Sequence, residues 1–211
     1  MNNFDQLLID IRNCKLCDKE LPLGARPVVL SSVESKIVII GQAPGLKVHQ
    51  SGIPFHDKSG EQLRRWLGVT EEEFYDTANF SIIPMGFCYP GKGVSGDLPP
   101  KKICAPTWHP QLLEQLTSVK LILLIGKYAQ DYYLKTNTSL TDNVQAFHEY
   151  LPTYFPLPHP SPRNNIWKAK NKWFEQEVIP VLQHQVKVIL NKESVLNSFS
   201  EREFVSKKHV D

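Results

Sequence analysis

The feature that most constrains the fold is a short β-branched run that stops abruptly at a glycine. Residues 36–40 read Lys-Ile-Val-Ile-Ile, and Gly41 follows directly. A run that is apolar at successive positions, rather than at alternate ones, is typical of a strand buried on both faces of a parallel sheet. In open α/β sheets, ligands bind just beyond the carboxyl ends of such strands. The polar loop at residues 41–60 is therefore the first candidate for a functional site.

Three more segments have the character of short strands, and helical spacing fills much of the chain between them. Strands are predicted at residues 80–84, 121–126 and 154–157, and helices at 4–13, 61–67, 70–76, 109–117, 127–134 and 166–190. Strands that alternate with helices predict a parallel sheet covered on both faces. We therefore expect an α/β protein, a three-layer α/β/α sandwich with a central four-stranded parallel sheet.

The sequence shows no internal repeat and no linker that would separate two domains. We expect a single domain over residues 1–190, followed by a polar tail at residues 191–211. Pro180 lies inside the last predicted helix and lacks the N–H group that a helix interior needs. The helix should therefore kink there or split near Val178.

Composition predicts a soluble protein and leaves its partners open. Hydrophobic residues make up 41% of the chain and charged residues 22%, which is ordinary for a globular protein. No run approaches the roughly 18–20 apolar residues of a membrane span. The first residues lack the basic and apolar regions of a signal peptide, so we expect a cytoplasmic protein, associated with the nucleoid if bacterial. A net charge of +2 neither supports nor excludes nucleic-acid binding.

The four cysteines come from segments that are far apart in the sequence. Cys14 and Cys17 form a C-x2-C pair, and Cys88 and Cys104 flank a segment rich in proline and glycine. Thiols stay reduced in the cytoplasm, so metal ligation is a better interpretation than disulfides. Structural zinc sites prefer two compact pairs, whereas iron–sulfur clusters accept thiolates from distant segments. Four unrelated free thiols are the alternative.

Polar side chains follow two of the apolar strands. Gln42, Phe55 and Asp57 come after the first strand, and His159 comes after the fourth. Because the carboxyl ends of parallel strands meet at one edge of a sheet, these residues should face one crevice. Each has a plainer interpretation as well, since His159 lies between prolines typical of a turn and Asp57 could cap a helix.

Several of these residues resemble the signature motifs of the uracil-DNA glycosylase superfamily. They are Gly41-Gln42-Ala43-Pro44-Gly45, Gly52-Ile53-Pro54-Phe55, Ser59-Gly60 and His159-Pro160-Ser161-Pro162. The cysteine pattern is similar to that of the iron–sulfur-containing bacterial and archaeal branches. The resemblance covers roughly residues 10–185. It implies DNA with deaminated bases as substrate and a 4Fe–4S cluster on Cys14, Cys17, Cys88 and Cys104.

The resemblance also implies roles for the motif residues. Gln42 and the backbone of the Gly41, Ala43, Pro44 and Gly45 loop would hold the edge of a base flipped out of the stack. Phe55 would stack on that base. His159 would donate a hydrogen bond to the pyrimidine O2 as negative charge develops there. On the DNA side, Ser161 would contact phosphate, and Arg163 or Asn164 would fill the gap left by the flipped base.

Two positions depart from the family pattern. Ala43 stands where some branches carry an acidic residue or asparagine that positions water, and Pro84 stands where the cluster-containing branches commonly have asparagine. Asp57 is the nearest replacement for the water-positioning group. Without the asparagine, the preferred base is open between uracil and another deaminated base.

We therefore predict a monomeric, monofunctional DNA glycosylase that hydrolyses the N-glycosidic bond of a deaminated base and initiates base excision repair. The catalytic residues would be His159, Asp57 and Gln42. One alternative is a non-catalytic module that binds damaged or single-stranded DNA, with Ala43 and Pro84 as signs of lost chemistry. The other is a small nucleoside or nucleotide N-glycosidase, which would cleave free nucleosides without DNA.

Overall fold

The computed structural model describes residues 3–94 and 96–190, which contain a central four-stranded sheet. The strands are β1 (Ile37–Ile40), β2 (Phe80–Ile82), β3 (Leu121–Ile125) and β4 (Tyr154–Leu157). Their order across the sheet is β2-β1-β3-β4, and each neighbouring pair is parallel. The predicted fold class is therefore confirmed, and each predicted strand is present.

Helices cover both faces of this sheet. In chain order they are α1 (Asn3–Arg12), α2 (Leu46–Ser51), α3 (Lys58–Leu67), α4 (Glu71–Tyr75), α5 (Cys104–Gln115), α6 (Lys127–Leu134), α7 (Leu140–Gln145), α8 (Asn165–Lys170) and α9 (Ile179–Ile189). Ile37 and Ile39 of β1 join a core with α3, α4, α7 and α9. Val38 and Ile40 point the other way, into a second core with α1, α5 and α6. The alternation along one strand thus produces the three-layer sandwich.

The structure corrects several predicted helix boundaries. Helix α5 begins at Cys104 instead of residue 109, and α2 and α7 occupy segments that were predicted as loops. The predicted helix over 166–190 is interrupted after Lys170, and a π-helical turn precedes α9. The break lies at residues 171–172 and not near Val178, where the chain passes from the π-helical turn into α9 with helical backbone, so the predicted split at Val178 is wrong. Pro180 lies in the first turn of α9.

Two further sequence predictions concern the C-terminal tail and the absence of a membrane-spanning segment. The predicted tail at residues 191–211 lies outside the described residues. Within the part of the chain that the structure covers, no helix is long and apolar enough to cross a membrane.

The start of α3 is fixed by a carboxylate and by a glycine. Asp57 Oδ1 accepts hydrogen bonds from the backbone N–H groups of Ser59 (2.9 Å) and Gly60 (3.0 Å), which makes Asp57 the N-cap. A Cβ atom on Gly60 would lie 1.7 Å from the carbonyl oxygen of Phe55. Phe55 itself has a φ of 55°, in the left-handed region that side chains rarely adopt. The tight turn before α3 therefore depends on the absence of a side chain at residue 60.

A buried histidine fixes the chain just after β2. His109 on α5 is 1% exposed, and its Nε2 lies 3.0 Å from the carbonyl oxygen of Pro84. Its Nδ1 lies 2.6 Å from the hydroxyl of Tyr133. Burial lowers the pKa of His109 to about 4, so the ring is neutral at neutral pH. Since a carbonyl can only accept, Nε2–H donates to Pro84, and Nδ1 accepts from Tyr133.

We expect Gly60→Ala to destabilise the fold. Alanine normally gains roughly 1 kcal/mol over glycine in a helix, but overpacking against fixed backbone typically costs about 1–3 kcal/mol or more. The contact with the Phe55 carbonyl should therefore decide the sign. Urea unfolding measures the free energy, with Ser59→Ala as the control one residue earlier in the same turn. A Gly60→Ala protein as stable as the control would contradict this account of the turn.

The buried His109 should make stability depend on pH. The unfolded chain binds a proton at this histidine below its ordinary pKa of 6.5, while the folded protein does not until about pH 4. The stabilisation is therefore complete above pH 6.5 and is lost as the pH falls towards 4. At about 1.4 kcal/mol per pH unit, the loss is roughly 3 kcal/mol.

Urea unfolding of the wild type between pH 4 and 7.5 measures this dependence. His109→Gln should lower stability at pH 7.5 and make the pH dependence shallower, with the remainder due to other buried histidines such as His159, whose pKa burial also lowers. His148→Gln, a change at an exposed histidine, should leave both unchanged. An equally steep dependence in His109→Gln would show that another group is responsible.

Candidate active site

A cleft of about 420 Å³ opens at the carboxyl edge of the sheet. The loops after β1 and β4 both line it, as expected for two parallel strands. The lining includes all the predicted catalytic and substrate-binding residues: Gly41, Gln42, Ala43, Pro44, Gly45, Phe55, Asp57, His159, Ser161, Arg163 and Asn164. Pro84 lines the same cleft. The structure thus brings these residues together, while their individual roles stay predictions.

Phe55 provides an aromatic wall that the core holds in place. Its ring packs edge-to-face on Phe74, with 6.2 Å between the ring centroids. On the other side, a Cβ atom on Gly41 would lie 3.3 Å from Phe55 Cζ, so the ring lies close against the β1 loop. The Tyr75 hydroxyl donates to the carbonyl of Pro54 at 2.9 Å and fixes the residue before it. This ring is therefore preorganised as a flat surface for a planar ligand.

His159 is held as a neutral hydrogen-bond donor. Its Nδ1 lies 3.2 Å from the backbone N–H of Ser161 and accepts that hydrogen bond. The ring proton of the neutral form is therefore on Nε2. Burial lowers the pKa of His159, and the charge of nearby Asp57 opposes this only in part. Asn164 Nδ2 donates to the His159 carbonyl at 2.7 Å and fixes the loop.

Asp57 has a structural role that limits what else it can do. One carboxylate oxygen, Oδ1, caps α3, as described above, so the capping interpretation from the sequence is confirmed. The side chain also lines the cleft and lies close enough to His159 to affect its pKa. Oδ1 of this carboxylate therefore stabilises the start of α3, and Oδ2 is the oxygen that could bind a ligand in the cleft.

Gln42 connects the β1 loop to a distant segment. Its Nε2 donates to the carbonyl of Leu98 at 3.3 Å. Behind it, the carbonyls of Gly41 and Gln42 accept from the backbone N–H groups of Met85 (2.9 Å) and Gly86 (3.0 Å). This bond uses one of the two Nε2–H donors, so Gln42 can offer a base edge both its amide oxygen and its second N–H.

The loop after β4 presents its remaining side chains at the mouth of the cleft. Ser161 Oγ accepts from the backbone N–H of Arg163 at 3.3 Å and caps the 3-10 turn Pro162–Asn164. The exposed guanidinium of Arg163 lies against Gly96, since a Cβ there would approach its Nη1 within 2.3 Å. The Asn164 amide donates to His159 O, and the Arg163 side chain is the more exposed of the two.

Sequence reasoning missed Asp97. This residue lies in the proline- and glycine-rich connection, where Lys92 and Asp97 form an antiparallel bridge. The bridge turns the segment back on itself, so that Gly96 and Asp97 line the cleft. The sequence does show a carboxylate in a long loop between Cys88 and Cys104, and long loops in compact domains are often functional. Nothing in the local pattern, however, predicts which surface of the protein such a loop covers.

The four cysteines converge on a second cavity. Cys14, Cys17, Cys88 and Cys104 are free thiols, and all four line one small cavity of about 20 Å³. Burial raises the pKa of Cys17 and Cys104, and it raises that of Cys88 to about 11. Among the described residues, no group of three or more histidine, cysteine, aspartate or glutamate side chains is arranged to hold a metal ion. The convergence of four thiols is thus a fact of the fold, whereas a ligand for them is a separate proposal.

Comparison with known proteins places the chain in a family. Residues 28–183 match the family model described as the Uracil DNA glycosylase superfamily. A solution NMR structure from Methanosarcina acetivorans, provisionally named a uracil DNA glycosylase, is similar at a TM-score of 0.45 and 14% identity, over 75% of this chain and 98% of that one. Cys14 and Cys17 lie outside the range of the family match, so it leaves the iron–sulfur branch unassigned. That range spans more than half of the chain and includes every cleft residue described above, and the protein therefore belongs to the uracil-DNA glycosylase superfamily.

Proposed function

We propose that this protein is a monofunctional DNA glycosylase that flips a deaminated base, uracil foremost, out of DNA and hydrolyses its N-glycosidic bond. The observation that carries the proposal is the hydrogen bond from the Ser161 N–H to His159 Nδ1, because it places the donor proton on Nε2. A fixed neutral donor and a fixed aromatic ring in one cleft suit a planar base with an oxygen at its edge. The cleft volume lies in the range of small-ligand sites.

The chemistry of base removal matches these two groups. Cleavage of the bond between C1′ and the base builds positive charge on the sugar and negative charge on the base. A flipped pyrimidine stacked on Phe55 would direct its O2 towards a donor such as His159 Nε2–H. A donor that is already oriented stabilises the developing charge without reorganisation, which is often the largest single catalytic term. A neutral imidazole serves this purpose, since its pKa is lowered by burial.

The same proposal covers the biological context. DNA containing deaminated bases is the partner, and Ser161 and Arg163 at the cleft mouth are the groups that would contact its backbone. Hydrolysis leaves an abasic site, so the enzyme would act first in base excision repair, before a strand-cleaving activity. We propose that it does so as a cytoplasmic monomer, associated with the nucleoid if the source is a bacterium.

We further propose a 4Fe–4S cluster bound by Cys14, Cys17, Cys88 and Cys104. The residues fit such a group in type and convergence, because four free thiols from three separate segments line one cavity and no disulfide competes for them. Thiolates of this kind ligate iron–sulfur clusters at varied spacings. The cluster would supply structural cross-linking, and the ion pair between Lys101 and Glu20 (2.7 Å) already connects two of these segments beside the cavity.

The glycosylase proposal predicts that His159→Ala abolishes most activity. Loss of one preorganised donor typically costs about a hundred- to a thousandfold in rate, or roughly 3–4 kcal/mol. Single-turnover base release from uracil-, hypoxanthine- and xanthine-containing DNA, single- and double-stranded, measures the effect. DNA affinity should change little, because the donor acts mainly on charge that develops in the transition state.

His148→Ala is the matched control, since that histidine is exposed and lies outside the cleft. It should be as active as the wild type. If the wild type binds DNA but releases no base from any substrate, the protein is a binding module instead. Release of base from free nucleosides but not from DNA would indicate a small-molecule N-glycosidase.

The cluster proposal predicts about four iron and four sulfide per chain in anaerobically purified protein. Cys88→Ala should lower thermal stability and iron content together, while the rate of base release per folded molecule changes less. Ser32→Ala, a change at a residue that does not line the cysteine cavity, should leave iron content intact. A colourless protein that binds one zinc, or no metal at all, would contradict the cluster.

A further inference from the structure

We propose that Asp97, on the loop between β2 and α5, is the catalytic carboxylate that positions and deprotonates the attacking water. This inference rests on the proposed glycosylase function and deepens it by naming a residue outside both sequence motifs. The cleft is lined by two carboxylates among the described residues, Asp57 and Asp97. They differ in their position in the cleft and in the hydrogen bonds that they already accept, and these two properties decide which of them can act on water.

The backbone around Asp97 is held against the β1 loop. Leu98 N–H donates to Gly91 O at 2.8 Å, and Gly93 N–H donates to Gly96 O at 2.6 Å. Gln42 Nε2 then ties Leu98 O to the loop after β1. As a result, Asp97 Oδ2 lies 3.4 Å from the position of a Cβ on Gly45. The carboxylate therefore reaches the motif loop from a different part of the chain.

The two carboxylates differ in how far they are already engaged. Asp57 Oδ1 accepts two backbone hydrogen bonds as the cap of α3. For Asp97, no side-chain hydrogen bond or ion pair is found within residues 3–94 and 96–190. An ion pair does hold Lys101, four residues further along, but its partner is Glu20. Asp97 is thus the cleft carboxylate with both oxygens available to a ligand.

Their depth in the cleft separates them further. Asp57 is half-buried and lies near His159, where the base would be held. Asp97 is exposed at the mouth, near Gly96 and the Arg163 guanidinium. A flipped nucleotide places its base deep in a pocket while its sugar stays close to the DNA backbone outside. The water that attacks C1′ must therefore approach from the mouth, on the side of Asp97.

The step balances as a simple hydrolysis. The bond between C1′ and the base nitrogen breaks, and its electron pair leaves with the base. The water oxygen forms a bond to C1′, and Asp97 accepts the proton that the water loses and then passes it to solvent. The base anion, stabilised by His159 Nε2–H, takes up a proton from solvent. One water is consumed, and a free base and an abasic deoxyribose are formed.

Single-turnover rates on the best DNA substrate of the wild type test the assignment. Asp97→Asn keeps the shape but removes the proton acceptor, and it should slow base release by about a hundredfold or more with DNA affinity within about twofold. Asp57→Asn should slow it by less than tenfold, because asparagine caps helices about as well as aspartate. Asp10→Asn, on the exposed surface of α1, should match the wild type.

Chemical rescue distinguishes a proton acceptor from a residue that only shapes the loop. Formate should restore part of the rate to Asp97→Ala by supplying a carboxylate in the vacated space, and it should not accelerate Asp10→Ala. Equal rates for Asp97→Asn and the wild type would overturn the inference while leaving the glycosylase function intact. So would failure of formate to rescue a folded, DNA-binding Asp97→Ala protein. A wild type that releases no base would instead refute the proposed function itself.

Discussion

The parallel pairing of β1 with β2 and β3 is the constraint on which the site depends. Ile37 pairs with Phe80 on one side and with Leu121 on the other, which fixes where each strand ends. The ladder continues past the strands, since Ile83, Met85 and Gly86 donate to carbonyls of residues 39, 41 and 42. The loops after β1 and β2 are therefore joined along their length. The cleft lies beyond the point where these two loops are hydrogen-bonded, and the loop after β4 forms its other side.

This arrangement explains which parts of the site could be predicted from the sequence. Two strands are apolar at successive positions and end at a glycine, β1 at Gly41 and β3 at Gly126, and this pattern predicts buried strands from local sequence alone. Parallel pairing then places the ends of the strands at one edge of the sheet. The capping role of Asp57 was likewise open to prediction from Ser59 and Gly60. Helices α2 and α7 are six residues each and lack a long apolar repeat, so periodicity could not find them.

Asp97 could not be placed because its position depends on contacts between distant segments. Gln42 and Leu98 are separated by 56 residues, and the bridge between Lys92 and Asp97 lies within a segment that has no apolar pattern. In the structure, the Gln42 bond and this bridge direct the segment towards the cleft.

Two histidines show how one physical cause produces different consequences. Burial lowers the pKa of both His109 and His159, which keeps each ring neutral and able to donate. Both nitrogens of His109 are taken by Pro84 and Tyr133, so its donor serves the fold. Within the described part of the chain, the His159 ring makes one hydrogen bond, at Nδ1, so its Nε2–H is available to a ligand. The two histidines therefore differ in their hydrogen-bond partners and not in the direction in which burial shifts their pKa.

The charges around the cleft are consistent with a reaction that separates charge. A protonated His159 would place a full positive charge next to the leaving base and would also repel a cationic sugar, whereas a neutral donor follows the charge as it develops. Carboxylates favour the sugar cation, and their effect increases when DNA covers the cleft and lowers the local dielectric. The exposed Arg163 guanidinium lies beside Gly96 at the mouth, where it would meet phosphate under the proposed function. Under the proposed function, a neutral donor at depth, the Asp97 carboxylate towards the sugar and a cation outside would match each charge of the transition state with its complement, although the chain as a whole carries a net charge of only +2.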